Sequence, residues 1–237
     1  MTKYVYNRGI DISAMPERIK RLPISPTGFP VPWFVTWFKN GEHCADGDGK
    51  PDFRIVNPGK IAMAVNSKRC WVCGGPMGQY LAFLIGPMCA INRVISEPPS
   101  HRECAIYAAK VCPFLSKPNM VRNERGMRDD DGNLIGELQE AAGSHIARNP
   151  GACCVWITKS YRPFKPQGGP RGGVLFSIGT PREVLWFAKG RAATRDEVMA
   201  SIDSGYPILQ EMARQEGAKA LAALQTQRDM AMALVPD

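Results

Sequence analysis

The feature that most constrains this chain is a pair of short motifs, Cys70-x2-Cys73 and His101-x2-Cys104, with 27 residues between them. Three thiols and one imidazole suit a zinc ion, because thiolate and imidazole groups are the usual ligands of closed tetrahedral zinc sites. The spacing therefore predicts one structural Zn²⁺ held by all four residues. Cys89 stands between the two motifs, and it could replace His101 if the imidazole points away from the metal.

The residues that flank the two motifs predict their local structure. Gly74-Gly75 follows the first pair and permits a tight turn around a metal. Ser100 and Glu103 have the spacing of a capping box, which predicts that a helix begins at this point. His101 and Cys104 then share the first turn of that helix, three residues apart and on one face.

A cysteine knuckle, a hairpin around Gly86-Pro87 and a helix that carries two ligands resemble the treble-clef zinc finger over about residues 68–112. The resemblance implies a small fold that depends on its metal. The runs 70–74, 85–90 and 97–104 are also similar to short bacterial and phage proteins of unknown function. That second resemblance implies a prokaryotic or viral cytoplasmic setting and brings no activity with it.

The net charge of +8 is concentrated in one half of the chain. Up to Arg125 the sequence has 17 Lys and Arg against 9 Asp and Glu, whereas the remainder has 13 of each. A basic half that carries the zinc motif predicts an anionic partner, most often nucleic acid. The alternative is that the charge only favours solubility and offsets three thiolates on one Zn²⁺. The candidate contacts are Lys68, Arg69, Arg93, Arg102, Arg162, Lys165 and Arg171.

The 237 residues are enough for one large domain or two modest ones. Proline density predicts an irregular N-terminal arm over 1–30, followed by a β-rich zinc-binding basic domain over 31–120. A polar linker is predicted over 121–150, and a hairpin with a helical region over 151–237. The predicted class is α+β, with a treble-clef-like zinc-binding module, β-hairpins and a helical C-terminal region.

Local sequence patterns predict the individual strands and helices. Aromatic and β-branched runs predict strands at 31–38, 52–56, 153–164 and 173–178. We expect the first two to pair with each other, and likewise the last two. Thr-x-x-Glu capping boxes at Thr180 and Thr194 predict helices in the C-terminal third. These predicted helices are 181–189, 195–204 and 207–233, with a break at Gly217.

The sequence supports a structural role for the metal motif better than either of two catalytic roles. Zinc nucleobase deaminases use an H-x-E and a C-x2-C, but here Cys104 is placed to fill the position that a catalytic zinc keeps open. An HNH nuclease needs a general-base histidine, and the segment 74–100 has none. The sequence therefore predicts no catalytic residue. Separately, the loop 46–52 is similar to calcium-binding D-x-D-G loops, but it lacks their third early carboxylate and their distal bidentate Glu, which favours a simple turn.

These patterns together favour a zinc-stabilised, noncatalytic binding protein that contacts nucleic acid through its basic half. The alternative is a protein-interaction or regulatory factor, for instance a phage-type inhibitor of a host enzyme, in which zinc serves only folding. A zinc-dependent nucleic-acid enzyme fits less well. No apolar run is long enough to cross a membrane and the N-terminus lacks signal-peptide features, so we expect a cytoplasmic location.

Overall fold

The computed structural model describes residues 5–57, 59–117, 120–121, 149–166 and 173–237. Over these residues the chain has a mixed α+β fold with three small sheets, in which every strand pairing is antiparallel. The α+β class predicted from the sequence is confirmed.

The elements of the described residues are numbered in chain order. The helices are α1 (Glu17–Lys20), α2 (Lys60–Asn66), α3 (Pro87–Asn92), α4 (Arg102–Val111), α5 (Pro113–Ser116), α6 (Arg195–Glu216) and α7 (Ala218–Met232). The strands are β1 (Val35–Lys39), β2 (Glu42–Cys44), β3 (Lys50–Val56), β4 (Leu81–Ile85), β5 (Val94–Ile95), β6 (Cys153–Thr158), β7 (Tyr161–Phe164), β8 (Leu175–Ile178), β9 (Pro181–Ala188) and β10 (Arg191–Ala192). The sheet orders are β2-β1-β3, β10-β9-β6-β4 and β5-β8-β7.

The four-stranded sheet is covered on both faces, which explains why every residue of β6 is buried. Trp156 points to one face and belongs to a core with residues of α3, α6 and α7, which we call the sheet core. Val155 points to the opposite face, where Ala105 and Ala109 of α4 pack against the sheet. A strand between two packed faces needs apolar residues at nearly every position rather than at alternate ones.

The same sheet joins distant parts of the sequence. β4 pairs with β6, from Leu81 opposite Thr158 to Ile85 opposite Cys154. The sheet therefore contains strands from both sides of the segment 121–150, which was predicted as a polar linker. That segment lies outside the described residues except for 121 and 149–150.

The described part of the N-terminal arm, residues 5–30, is irregular apart from α1 and one bridge between Ile24 and Pro30. Its buried apolar side chains pack against the first cysteine pair and the start of α4. We call this cluster the arm core, and it consists of Ile10, Met15, Ile19, Cys70, Val72 and Cys104. The arm therefore covers the predicted metal ligands.

The predicted pairing of 31–38 with 52–56 is confirmed by β1 and β3, in which Val35 lies opposite Val56. The predicted return strand over 173–178 is confirmed as well, because β8 pairs with β7 and places Ile178 opposite Tyr161. The strand predicted over 153–164 is divided at residues 159–160 into β6 and β7, which belong to different sheets.

The helix predicted over 181–189 is wrong, because these residues form β9 between β6 and β10. Trp186 lies in the sheet core and Phe187 on the α4 face, which is the two-residue alternation of a strand. The supposed capping residues have other partners. The Thr180 carbonyl accepts a hydrogen bond from Thr158 Oγ1 at 2.9 Å, and Glu183 pairs with Arg102.

Two local predictions near the metal motif are also wrong. The hairpin around Gly86-Pro87 is absent, since Pro87 begins α3, at a helix position where proline is favoured. The capping box at Ser100 is absent too. The N-cap of α4 is His101 without a side-chain cap, and the Glu103 carboxylate instead pairs with Arg18 at 3.1 Å.

The C-terminal helices follow the sequence more closely. The Thr194 capping box is confirmed, since Thr194 Oγ1 accepts a hydrogen bond from the Glu197 amide at 3.3 Å. The predicted break at Gly217 is confirmed, and its φ of 109° suits glycine. The predicted interruption near Pro207 is wrong, because α6 continues through this residue. None of the helices in the described ranges is long and apolar enough to span a bilayer.

Candidate metal centre

The first cysteine pair sits on a tight turn that backbone hydrogen bonds hold in place. The Gly74 amide donates to the carbonyl of Cys70, and the Cys70 amide donates to the carbonyl of Gly75, both at 2.8 Å. Gly74 has a φ of 70°, and a Cβ at this position would lie 2.7 Å from the Trp33 ring. Glycine is therefore required here both by backbone conformation and by the close approach of the tryptophan.

The second pair is positioned by β4 and by the start of α4. Ser100 forms an antiparallel bridge with Ala82 of β4, so the chain enters α4 from a defined direction. The His101 carbonyl then accepts the Ala105 amide at 3.0 Å, as the first hydrogen bond of the helix. Cys104 follows one turn later and is completely buried in the arm core.

The four predicted ligands come together in space. Their ligand atoms, the Sγ atoms of Cys70, Cys73 and Cys104 and a ring nitrogen of His101, all lie within 4.8 Å of one another. His101 Nδ1 is 3.3 Å from Cys73 Sγ and 3.8 Å from Cys104 Sγ. Such a group could hold a metal ion, because a single cation at its centre reaches all four atoms.

Hydrogen bonds orient the ligands toward the centre of the group. The backbone amides of Cys73 and His101 donate to Cys70 Sγ at 3.4 and 3.3 Å, which favours a thiolate at this position. His101 Nε2 lies 2.9 Å from the carbonyl of Pro76, to which it donates. That bond leaves Nδ1 facing the three sulfur atoms, as in metal sites where a second partner fixes the histidine tautomer.

The ligands also shift one another's pKa. Hydrogen bonds from Cys104 and Cys73 stabilise the Cys70 thiolate and hold the pKa of Cys70 far below its usual range. The pKa of Cys104 is raised, mainly because its thiol donates to Cys70. The pKa of His101 is raised to about 10, chiefly by Cys70 and then by Cys73. The group therefore concentrates negative charge and attracts a proton or a metal cation.

The alternate ligand, Cys89, lies elsewhere. It sits on α3 against the sheet core, where burial raises its pKa to about 11. Cys112 follows the last residue of α4, and Cys153 and Cys154 are buried on β6. The Cys44 thiol donates to the carbonyl of Asp48. Within the described ranges, the Cys70 group is the only cluster of His, Cys, Asp or Glu that could hold a metal.

The calcium-like loop 46–52 uses its carboxylates for ion pairs within the protein. Asp46 pairs with Lys60 at 2.7 Å, and the side chain of Lys60 is only 9 % exposed. Asp48 pairs with Lys39 at 3.2 Å. Asp52 pairs with Arg54, which holds the pKa of that carboxyl below its usual range. These contacts agree with a simple turn, which was the other reading of this loop.

The seven predicted nucleic-acid contacts differ in their surroundings. Arg69 donates to the carbonyl of Gly74 at 3.0 Å, and the Arg93 guanidinium lies 5.7 Å from the centre of the Trp156 ring. Arg102 forms two hydrogen bonds with Glu183. These three guanidinium groups therefore have partners within the protein. The remaining described members are exposed, namely Lys68, Arg162 and Lys165, and Arg171 lies outside the described residues.

A groove beside the metal group was not predicted from the sequence. Its volume is about 460 Å³. It is lined by the chain after the knuckle, by the first turn of α4 and by β6 and β9, namely Gly78, Gln79, Tyr80, His101, Arg102, Glu103, Ile157, Arg182 and Glu183. No pattern in the sequence indicated this groove, because it forms from four separate segments.

Comparisons of the chain with protein-family models, with curated proteins and with solved structures found no significant match. The similarity to short bacterial and phage proteins gains no support from them. The function must therefore be argued from the site itself.

Proposed function

We propose that the Cys70, Cys73, His101 and Cys104 group binds one structural Zn²⁺. The observation that carries the proposal is the spacing of the ligand atoms around His101 Nδ1, at 3.3 and 3.8 Å from two sulfur atoms. In a tetrahedral zinc site, ligand atoms lie about 3.5 to 3.8 Å apart, given the usual zinc–sulfur and zinc–nitrogen bond lengths. The group therefore needs little rearrangement to accept the ion.

The arrangement of elements supports a treble-clef-like module. The knuckle is followed by β4, whose Ala82 bridges to Ser100 immediately before α4, and α4 supplies the second ligand pair. The bridge takes the place of the hairpin in such a module. The segment 86–99, which contains α3 and β5, is inserted between its two sides.

The same contacts weigh against a catalytic metal. A deaminase-like site would keep one position open, whereas Cys104 supplies a fourth ligand. Glu103, which would have to move protons, is engaged with Arg18. An HNH-type site would need a histidine base beside the metal. His43 lies on β2 against the Phe38 ring, 5.0 Å between ring centres, and position 145 is outside the described residues.

We further infer that the protein binds nucleic acid through exposed basic residues, of which Lys68 lies in the basic half and Arg162 and Lys165 lie in the hairpin region beyond it. Lys68, Arg162 and Lys165 are exposed and form no ion pair among the described residues, so their charges are available to phosphate groups. Lys68 is adjacent to the knuckle, whereas Arg162 and Lys165 are on or next to β7. Phosphate contacts of this kind give affinity that depends strongly on salt.

A salt titration with a labelled ten-nucleotide single strand tests this function. Replacing Lys68 by Gln should make the slope of log K against log salt less steep by about 0.7, because the variant loses one phosphate contact. Replacing Arg162 by Gln should have the same effect. Lys219→Gln is the matched control, since Lys219 is an exposed residue on α7. An affinity unchanged by added salt, or slopes equal in all variants, would contradict the proposal.

A second candidate function is binding to another protein through α6. Ile208 and Met212 are four residues apart on this helix and are 44 % and 39 % exposed. Apolar side chains at this spacing form one face that another protein could cover. Apolar contacts depend little on salt, so a protein bound to this face should stay bound as salt is raised, whereas an oligonucleotide should dissociate.

A further inference from the structure

We propose that the groove beside the metal group is a binding site for one unstacked base of a single-stranded nucleic acid, with Tyr80 as the stacking surface. The inference rests on the proposed nucleic-acid function and names a site that the sequence did not. It follows from the shape of the groove, from its exposed aromatic ring and from the charges on its walls.

The aromatic ring is the first observation. Tyr80 is 52 % exposed although it lines a groove of about 460 Å³, a volume typical of sites for small organic groups. Lys159 Nζ lies 5.3 Å from the centre of the Tyr80 ring. A cation–π contact of this kind favours one position of the ring, and the ring remains accessible in the groove. It can therefore stack on a base, and any of the four bases can make this contact.

The charges on the walls are the second observation. Four charged side chains line the groove, and both carboxylates are neutralised within the protein, Glu183 by Arg102 at 2.6 Å and Glu103 by Arg18 at 3.1 Å. Arg182 is exposed and has no ion-pair partner among the described residues. One guanidinium thus remains available for a phosphate.

These features favour a single strand over a duplex or an acidic peptide. A base must leave its stack to lie on Tyr80, and bases are accessible in this way in single strands. The carboxylates of an acidic peptide would pair with Arg182 only, whereas each nucleotide offers both a phosphate for Arg182 and a base for the Tyr80 ring. The amide of Gln79, also exposed on the wall, can donate to or accept from a base edge.

Fluorescence anisotropy with a labelled ten-nucleotide oligothymidylate tests the site. Tyr80→Ala should weaken binding roughly 5- to 100-fold, because it removes one stacking contact. Tyr80→Phe keeps the ring and should bind like the wild type. Phe53→Ala is the matched control, since Phe53 is 45 % exposed on β3 and does not line the groove. Circular dichroism and metal content should be unchanged in all three variants.

Arg182→Gln provides a second readout in the same assay. This substitution should make the slope of log K against log salt less steep by about 0.7 relative to Lys219→Gln, because it removes one phosphate contact from the groove. If the wild type binds but Tyr80→Ala binds equally well, the groove assignment is wrong while the nucleic-acid function stands. If the wild type binds no oligonucleotide even at low salt, both are wrong. A duplex of equal length that binds as tightly as the single strand also contradicts the assignment.

Discussion

The arm core and the sheet core differ in the amount of apolar packing that each contains. The buried members of the sheet core include large side chains such as Phe83, Trp156 and Phe176. The buried members of the arm core are three aliphatic side chains and one methionine around two cysteines, and the aromatic residues Tyr6, Phe29 and Tyr107 that pack against it are only partly buried. Burial of apolar surface stabilises by about 25 cal/mol per Å², so a core with few large side chains gains little from it. If the Cys70 group binds zinc as proposed, ligand–metal bonds would supply in the arm core the stabilisation that apolar packing supplies in the sheet core.

α4 lies between the arm core and the four-stranded sheet, on the face of the sheet opposite the sheet core. Cys104 faces the arm core, whereas Ala105 and Ala109 face the sheet. The two alanines allow the helix to approach β6 closely. Loss of the metal should therefore loosen one side of α4 while the other remains packed, and this separates the two cores experimentally.

The largest expected effect comes from removing a metal ligand. Cys104→Ser should abolish stoichiometric zinc binding and unfold the arm core, because structural zinc contributes on the order of 10 kcal/mol or more in small metal-dependent folds. Amide hydrogen exchange should show lost protection around Ile19 and Cys70, while the amides of β6 remain protected. Metal analysis and exchange on the same sample measure both effects.

Cys89→Ala is the control for that experiment, since Cys89 is a partly buried cysteine on α3 that lies outside the Cys70 group. It should keep one zinc per chain. If Cys89→Ala loses the metal, or if Cys104→Ser leaves the arm core fully protected, then the arm core does not depend on this ligand set.

A substitution in the sheet core should instead lower the stability of the protein while its zinc content stays unchanged. Trp156 is almost fully buried, and its indole Nε1 donates to the carbonyl of Gly179 at 2.9 Å. Trp156→Ala should lower the free energy of unfolding by about 3 to 5 kcal/mol through the cavity that it leaves. Urea denaturation measures this loss, and zinc content should stay at one per chain. Zinc loss from a folded Trp156→Ala protein would show that the two cores are not separable.

The sequence predicted that Cys70, Cys73, His101 and Cys104 come together, because a group that could hold a metal ion depends on residue type and spacing. It also predicted α6 and α7 around Gly217, where local signals and the final structure agree. It failed at β9, where a Thr-x-x-Glu pattern resembles a capping box. The hydrogen bonds that decide this segment come from β6, which precedes it by more than twenty residues. Tertiary pairing overrides a local signal of that size.

The groove could not be predicted for a related reason. Tyr80, Arg102, Ile157 and Arg182 come from separate parts of the chain, and only the packing of α4 on the sheet brings them to one place. Nor does the sequence show that Ile10, Met15 and Ile19 cover the metal ligands, because an irregular proline-rich arm has no periodicity to reveal its buried face.

The smallest expected effect concerns the ion pair between α4 and β9. Arg102 of α4 donates to Glu183 of β9 at 2.8 and 2.6 Å, but the two side chains are 49 % and 39 % exposed. Solvent screens such a pair, so a double-mutant cycle of Arg102→Ala and Glu183→Ala should give a coupling of about 0.2 to 1 kcal/mol. Denaturation of the four proteins at neutral pH measures it.

The pH dependence of this coupling has a defined sign. Arg102 holds the pKa of Glu183 below its usual range. The pair therefore contributes fully above the carboxyl pKa of the unfolded chain, and the contribution disappears as the pH falls through the lowered pKa of the folded state. A coupling well above 1 kcal/mol, or one that persists in acid, would mean that α4 and β9 depend on each other through more than this pair. The separate stabilisation of the two cores would then no longer hold, because Arg102 lies in the first turn of α4 together with the predicted ligand Cys104.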